Sequence, residues 1–158
     1  MKKFKIEIKW ALIFAVIALL WMVMEKALGW HDEKIDQHAT LTMLFVIPAI
    51  IIYYLALTDK RRNFYDGKMT WLQGFLSGLY IGIIVAVLSP VTQYVVSYYI
   101  SPDYFKNAIE YSVSSGALEQ DVAERHFNYS SYVLQSSLGA VVSGAVTAAL
   151  VALITKRS

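Results

Sequence analysis

The sequence contains no cysteine, and only 16% of its 158 residues are charged. The absence of cysteine excludes disulfide bridges, thiolate metal ligands and cysteine nucleophiles. The low charge argues against a water-soluble domain, in which about 25% of residues are usually charged. A net charge of +2 gives no reason to expect nucleic acid as a partner. The chain is instead 57% hydrophobic, above the about 45–50% of soluble domains, and this excess predicts a membrane protein.

The hydrophobic residues are gathered into four runs, each long enough for a membrane-spanning helix of about 20 residues. We place these spans at about residues 10–28, 39–57, 70–100 and 132–154. At about 1.5 Å per residue the third span exceeds a hydrocarbon core of about 30 Å, so we expect it to tilt, kink or project into water. The predicted fold class is all-α: an integral membrane four-helix bundle that forms a single membrane domain over residues 1–158.

Lysine and arginine are concentrated on one side of the predicted membrane. Ten of the 14 lie beside the two termini or in the loop between spans two and three, and four lie on the opposite side. Because positive residues stay in the cytoplasm, both termini are predicted to be cytoplasmic. Tyrosine and tryptophan cluster at the predicted span boundaries, Tyr104 and Tyr132 among them, as in an interfacial aromatic belt. Membrane lipids are therefore the expected surroundings.

Residues 101–131 form the only sizeable segment outside the predicted spans. Ser101, Pro102 and Asp103 are typical of a helix start, and a second helical stretch is predicted to run directly into span four. We therefore expect a small extracytoplasmic helical hairpin between helices 3 and 4. Its five acidic and two basic residues give it a net charge of −3.

Span three carries a glycine at every fourth position, at Gly74, Gly78 and Gly82. Small residues at this spacing lie on one helix face and allow a second helix to approach closely. Span four carries a matching stripe at Ser136, Ala140, Gly144 and Ala148. We favour packing of spans three and four within the chain. The alternative is an oligomer interface.

Two prolines, Pro48 and Pro90, lie within predicted spans. Each removes a helical hydrogen bond and is expected to kink its helix, which leaves the carbonyl four residues earlier in need of a partner. Ser89 and Gln93 flank the second proline and are candidate partners. Broken helices can mark a transport site, although a proline can also serve packing alone.

Glu25 is the only acidic residue within a predicted span. An ionisable group inside the membrane suggests a functional role, but Glu25 is close to the end of its span, beside Lys26, and we expect its side chain to reach the membrane surface. His31 and His38 follow in a short polar loop, and His38 is a candidate partner for Glu25. Histidines and carboxylates can bind zinc or nickel. Since this spacing matches no established site, we predict no metal, cofactor or catalytic residue.

Several short motifs carry a family resemblance: GWHDEKIDQHAT, LFVIPAI, DGKMTWLQGFLSG, SPVTQY and ISPDYF. Together they resemble the bacterial domain-of-unknown-function family 4199 over nearly the whole chain. The resemblance implies a small four-helix inner-membrane protein of a Gram-negative bacterium. The family has no established activity, so the resemblance implies no catalytic residue.

The sequence contains no phosphate loop, nucleophile elbow or dinucleotide fingerprint. We therefore expect a non-enzymatic accessory or scaffold subunit of an envelope complex, associated with a second copy or with another envelope membrane protein. One alternative is a small oligomeric transporter or channel whose path is lined near Pro48, Pro90 and Gln93. A third hypothesis is an enzyme that acts on lipid or polyprenyl substrates through three polar residues, namely Glu25, His31 and His38.

Overall fold

The computed structural model describes residues 4–157. Four of its helical segments are long and apolar enough to cross a membrane: Lys5–Ala27, Ile35–Asn63, Trp71–Ile100 and Tyr129–Thr155. The prediction of an all-α fold with four membrane-spanning helices is confirmed. The chain is a multi-pass membrane protein.

The second and third spans are not uniform α-helices. The second consists of α2 (Ile35–Leu41), a 3-10 turn at Thr42–Phe45, and α3 (Val46–Asn63). The third consists of α4 (Trp71–Val95) followed by a π-helical turn at Val96–Ile100. The first and fourth spans are α1 (Lys5–Ala27) and α7 (Tyr129–Thr155), and two short helices, α5 (Tyr104–Ser114) and α6 (Gln120–His126), lie between the third and fourth spans.

The helices extend beyond the predicted spans, and the predicted junction before span four is wrong. Residues 58–63, expected in the loop after span two, continue α3. The helical stretch after α5 does not run into span four, because α6 ends at His126 and the Asn128 side chain accepts a hydrogen bond from the backbone N–H of Ser131 (2.9 Å) at the start of α7. Hydrophobicity marks the part of a helix that lies in the hydrocarbon, whereas local hydrogen bonds decide where the helix ends.

Backbone contacts divide the described residues into two compact units. Residues 4–16, 46–88 and 137–157 form the first unit. Residues 17–45 and 89–136 form the second unit. The single membrane domain expected from the sequence stays a prediction.

In the first unit, α4 packs against α7 through small residues. A Cβ built on Gly78 would lie 2.4 Å from the Ala148 Cβ, and one built on Gly74 would lie 3.1 Å from the Ala152 Cβ. The first of these distances is shorter than any real contact, so the two helices can approach this closely only because residue 78 is a glycine. The two small-residue stripes therefore face each other within the chain, and an interface with a second copy stays a prediction.

Tyr53 of α3 fills the space beside the same contact. Its hydroxyl would lie 2.6 Å from a Cβ built on Gly144, and a Cβ built on Gly82 would lie 2.9 Å from the carbonyl oxygen of Ala140. The glycines thus admit both a neighbouring backbone and an aromatic side chain. Ser136, the first residue of the stripe on α7, lies in the second unit and donates to the carbonyl of its own helix at Val133 (3.2 Å).

The two prolines have different positions in their helices. Pro90 lies in the interior of α4, and the carbonyl of Ala86, four residues earlier, accepts a hydrogen bond from the hydroxyl of Ser137 (3.2 Å). The carbonyl therefore has Ser137 of α7 as a partner, and the expectation that Ser89 or Gln93 also supplies one stays a prediction. Pro48 is the third residue of α3, in the first turn, where proline is tolerated.

A buried ion pair joins three helices of the first unit. Lys60 of α3 lies 2.8 Å from a carboxylate oxygen of Glu7 on α1, and the hydroxyl of Ser77 on α4 donates to the same oxygen (2.7 Å). Both charged side chains are almost fully buried. The Glu7 carboxylate is therefore neutralised by a fixed cation.

Candidate functional site: a buried histidine–glutamate cluster

Three polar residues of the second unit meet around one carboxylate. Glu25 lies in the last turn of α1, His31 in the turn that follows, and His38 on α2. Gly29 has a φ of +78°, which favours glycine, and allows the chain to turn back after α1 so that His31 reaches Glu25. We call Glu25, His31 and His38 the His–Glu cluster.

Both histidines approach the same oxygen of Glu25. Nε2 of His31 lies 3.0 Å and Nε2 of His38 lies 3.2 Å from Oε2 of Glu25. The indole N–H of Trp21 donates to the other carboxylate oxygen, Oε1 (2.5 Å). Glu25 is 0% exposed and His31 is 2% exposed, and the His38 side chain is 17% exposed. The expectation that Glu25 reaches the membrane surface is therefore wrong, whereas His38 is confirmed as its partner.

The second ring nitrogen of each histidine faces a hydroxyl group. Nδ1 of His31 lies 2.6 Å from the Ser101 hydroxyl, and Nδ1 of His38 lies 3.3 Å from the Tyr104 hydroxyl. The Tyr104 hydroxyl lies 2.9 Å from that of Tyr132. Since a hydroxyl can donate or accept, each histidine keeps its hydrogen bond at Nδ1 in either tautomer, whereas only the tautomer with the proton on Nε2 donates to the Glu25 carboxylate.

Tyr104 packs against both histidines. Its ring contacts those of His31 and His38 edge to face, with centroids 5.2 Å and 5.1 Å apart. Burial, and secondarily the neighbouring Tyr132 and the Glu25 carboxylate, raise the pKa of Tyr104 well above its usual value. The Tyr104 hydroxyl therefore stays neutral in the physiological range and remains available as a donor.

The same region ties α5 to the loop after α1. The Asn107 side-chain amide donates to the carbonyl oxygen of His31 (2.9 Å) and to the carboxylate of Asp32 (3.1 Å). Asp32 also pairs with Lys26 (2.6 Å), so the ammonium beside Glu25 in sequence is engaged elsewhere. Hydrogen bonds thus hold the start of α5 both to the side chains of the two histidines and to the backbone carbonyl of His31.

The three facing atoms of the His–Glu cluster could hold a metal ion. The Glu25 oxygen and one nitrogen from each histidine lie within 4.8 Å of one another. Two imidazoles and one carboxylate form a ligand set that occurs in zinc sites and in non-haem iron sites. The spacing in sequence gave no sign of it, because the ligands come from a helix end, a turn and a second helix.

The other predicted site residues are divided between the two units. The glycine stripe of α4 and most of the stripe of α7 lie in the first unit. Ser89 is buried, Gln93 is half-buried and Pro90 is exposed; the carbonyl of Pro90 accepts a hydrogen bond from Tyr129 (2.9 Å). Sequence reasoning assigned Tyr104 and Tyr132 to the interfacial belt and Ser101 to a helix start, and it missed that they surround the histidines.

Comparison with known proteins gives a family but no activity. No curated protein and no solved structure matches the chain. The model of family DUF4199, described as a protein of unknown function, matches residues 9–157, a range that includes the whole His–Glu cluster. The chain therefore belongs to the DUF4199 family.

Proposed function

We propose that this protein is a non-enzymatic accessory subunit of an envelope membrane complex and that residues 101–128, the α5–α6 segment, form its docking surface. One observation carries the proposal. The buried His–Glu cluster and Asn107 hold the start of α5 in place, while the acidic side chains around α6 are exposed.

The contacts at the start of α5 support a preformed docking surface. An isolated helix of 11 residues is marginal in water, and α5 therefore depends on tertiary contacts for its order. Three of them are the hydrogen bonds of Ser101, Tyr104 and Asn107 to the two histidines. A segment that is ordered before binding loses less conformational entropy when a partner docks.

The charge of the segment supports a basic partner. Glu119, Asp121 and Glu124 are exposed and lie before or on α6. Arg125 pairs with Asp121 (2.8 Å), but an exposed pair of this kind contributes little stability. The excess of acidic groups favours a basic surface on another envelope membrane protein, through attraction that steers association.

We also propose on which side of the membrane the termini and the α5–α6 segment lie. The bias of lysine and arginine toward the termini supports cytoplasmic termini, and the α5–α6 segment would then be extracytoplasmic. Membership in DUF4199 supports a bacterial inner membrane by the resemblance described above.

Cross-linking in native membranes tests the docking surface. The acidic variant carries Glu119→Gln, Asp121→Asn and Glu124→Gln. The matched control carries Glu33→Gln and Asp36→Asn, which are exposed acids in the same unit. Each chain is cross-linked in the host membrane and purified in mild detergent, and the attached proteins are quantified by mass spectrometry. The proposal expects a basic membrane partner to be lost from the acidic variant and kept by the control.

Two outcomes would contradict the proposal. If the wild type and the acidic variant capture the same proteins in equal amounts, α6 is not the docking surface. If the wild type cross-links only to copies of itself, the partner is a second copy and the heteromeric complex is ruled out.

The geometry supports the two alternative functions less well. The transport hypothesis places a path near Pro48, Pro90 and Gln93, but the carbonyl freed by Pro90 is bonded to Ser137 and so is not open to a transported ligand. The enzyme hypothesis gains from the meeting of its three polar residues. However, Glu25 and His31 are buried, so a lipid substrate could not reach them without a rearrangement.

A further inference from the structure

We propose that the His–Glu cluster binds one divalent transition-metal ion, with zinc as the best fit. The ligands would be Oε2 of Glu25, Nε2 of His31 and Nε2 of His38. The docking role proposed above does not require the ion, so the two proposals can fail separately.

The two oxygen–nitrogen separations are close to those of a tetrahedral site. With bonds of about 2.0–2.1 Å, two ligands of tetrahedral zinc lie roughly 3.3–3.4 Å apart. The Glu25 oxygen lies 3.0 Å and 3.2 Å from the two nitrogens, and all three atoms lie within 4.8 Å of one another. Each oxygen–nitrogen pair is therefore spaced for one ion, and the two nitrogens, at most 4.8 Å apart, would need to approach each other to bind it.

The outer hydrogen bonds fit metal-bound histidines. A histidine that binds metal through Nε2 carries its proton on Nδ1 and usually donates it to an oxygen, which fixes the ring. Here Nδ1 of His31 faces the Ser101 hydroxyl and Nδ1 of His38 faces the Tyr104 hydroxyl. The Tyr104 hydroxyl can accept a hydrogen bond from Nδ1 of His38 because it can donate its own proton to the Tyr132 hydroxyl. Metal binding thus needs a change of tautomer and no reversal of either ring.

The charges around the two buried carboxylates differ in the way that a metal site requires. Glu7 in the first unit is paired with the ammonium of Lys60, which occupies the position that a metal ion would take. Glu25 bonds to Trp21, Thr42 and the two histidines. None of these four is a lysine or arginine, and the two imidazoles offer lone pairs when neutral.

The ligand types restrict the ion. Imidazole suits zinc, copper, iron and nickel, whereas magnesium and calcium prefer a shell of oxygen atoms. Three protein ligands leave a fourth position for water or another ligand, as in zinc sites with an open position. The site is therefore expected to discriminate strongly against magnesium.

Metal analysis of the full chain tests the proposal. The protein is purified in mild detergent through a tag without histidine, stripped with a chelator, exposed to zinc and freed of excess metal. Bound zinc is measured by mass spectrometry, and affinity by calorimetry with zinc and with magnesium. We expect one zinc ion per chain and no measurable magnesium binding.

The three histidines supply a matched comparison. His126 is exposed on α6, so His126→Ala is expected to keep full zinc binding, whereas His38→Ala is expected to abolish stoichiometric binding. Tyr104→Phe removes an orienting hydroxyl and leaves the ligands, so its affinity should fall by about 10–100-fold, as for other outer-shell groups. Circular dichroism checks that each variant keeps its helices.

The cobalt form of the wild type keeps the test valid even if a variant fails to fold. Cobalt in the zinc site should give the intense visible absorption of a tetrahedral ion, and zinc should displace it. The proposal is overturned if the stripped wild type takes up no zinc, if cobalt gives only the weak spectrum of its aqueous ion, or if His38→Ala binds as the wild type does.

Discussion

Gly78→Ala should destabilise the protein because the contact between α4 and α7 has no room for a methyl group. The new Cβ would lie 2.4 Å from the Ala148 Cβ and 3.2 Å from its Cα, against an optimal carbon–carbon separation of about 3.5–4.0 Å. The two helices would therefore have to separate by more than about 1 Å at this point. Overpacking of this kind costs about 1–3 kcal/mol.

Gly139→Ala is the matched control, since it makes the same chemical change in α7. Nothing lies within 4 Å of a Cβ built on Gly139, and the residue is exposed. Only helix propensity then applies, and alanine stabilises a helix interior by about 0.8–1.0 kcal/mol relative to glycine. The same gain applies to Gly78→Ala, so the two variants should differ by the full packing cost.

Reversible unfolding in mixed detergent micelles, followed by circular dichroism, measures both free energies of unfolding. Gly139→Ala should be as stable as the wild type or slightly more so, and Gly78→Ala should be less stable than Gly139→Ala by about 1–3 kcal/mol. Equal stability of the two variants would show that α4 and α7 do not pack at this point.

Two further substitutions test other parts of the structure. Lys60→Met leaves the buried Glu7 carboxylate without its cation and should cost about 3–5 kcal/mol in the same unfolding assay; a second change, Glu7→Gln, should recover part of the loss, and no recovery would contradict the pairing. Asn107→Ala removes two hydrogen bonds that hold α5 and should speed amide hydrogen exchange in residues 101–114, whereas Lys106→Ala, at an exposed position, should leave that exchange unchanged. Equal exchange in these two variants would show that Asn107 does not anchor α5.

The four spans could be predicted because long apolar runs leave few other structures for a chain of this length. Their ends could not be predicted, since helices continue beyond the hydrocarbon. Lys60, for example, follows the apolar run, yet it lies in α3 and pairs with Glu7 of α1. That pairing spans 53 positions of sequence, and no local pattern indicates it.

The His–Glu cluster was only partly predictable for the same reason. Glu25 lies near the end of the first predicted span and His38 just before the second, at the same predicted membrane face, which was enough to suggest their contact. His31 joins them through the reversal of the chain at Gly29. The hydroxyl of Ser101 comes from a residue 70 positions away from His31, and only the packing of the third span brings it there.

X-ray absorption spectroscopy of the zinc-loaded wild type tests most directly whether Glu25, His31 and His38 form one metal site. We expect a four-coordinate zinc ion with two imidazole nitrogens and oxygen ligands, all at about 2.0–2.2 Å, and the imidazole signal should persist in His126→Ala. A shell of oxygen atoms without imidazole, or an imidazole signal that disappears in His126→Ala, would contradict it.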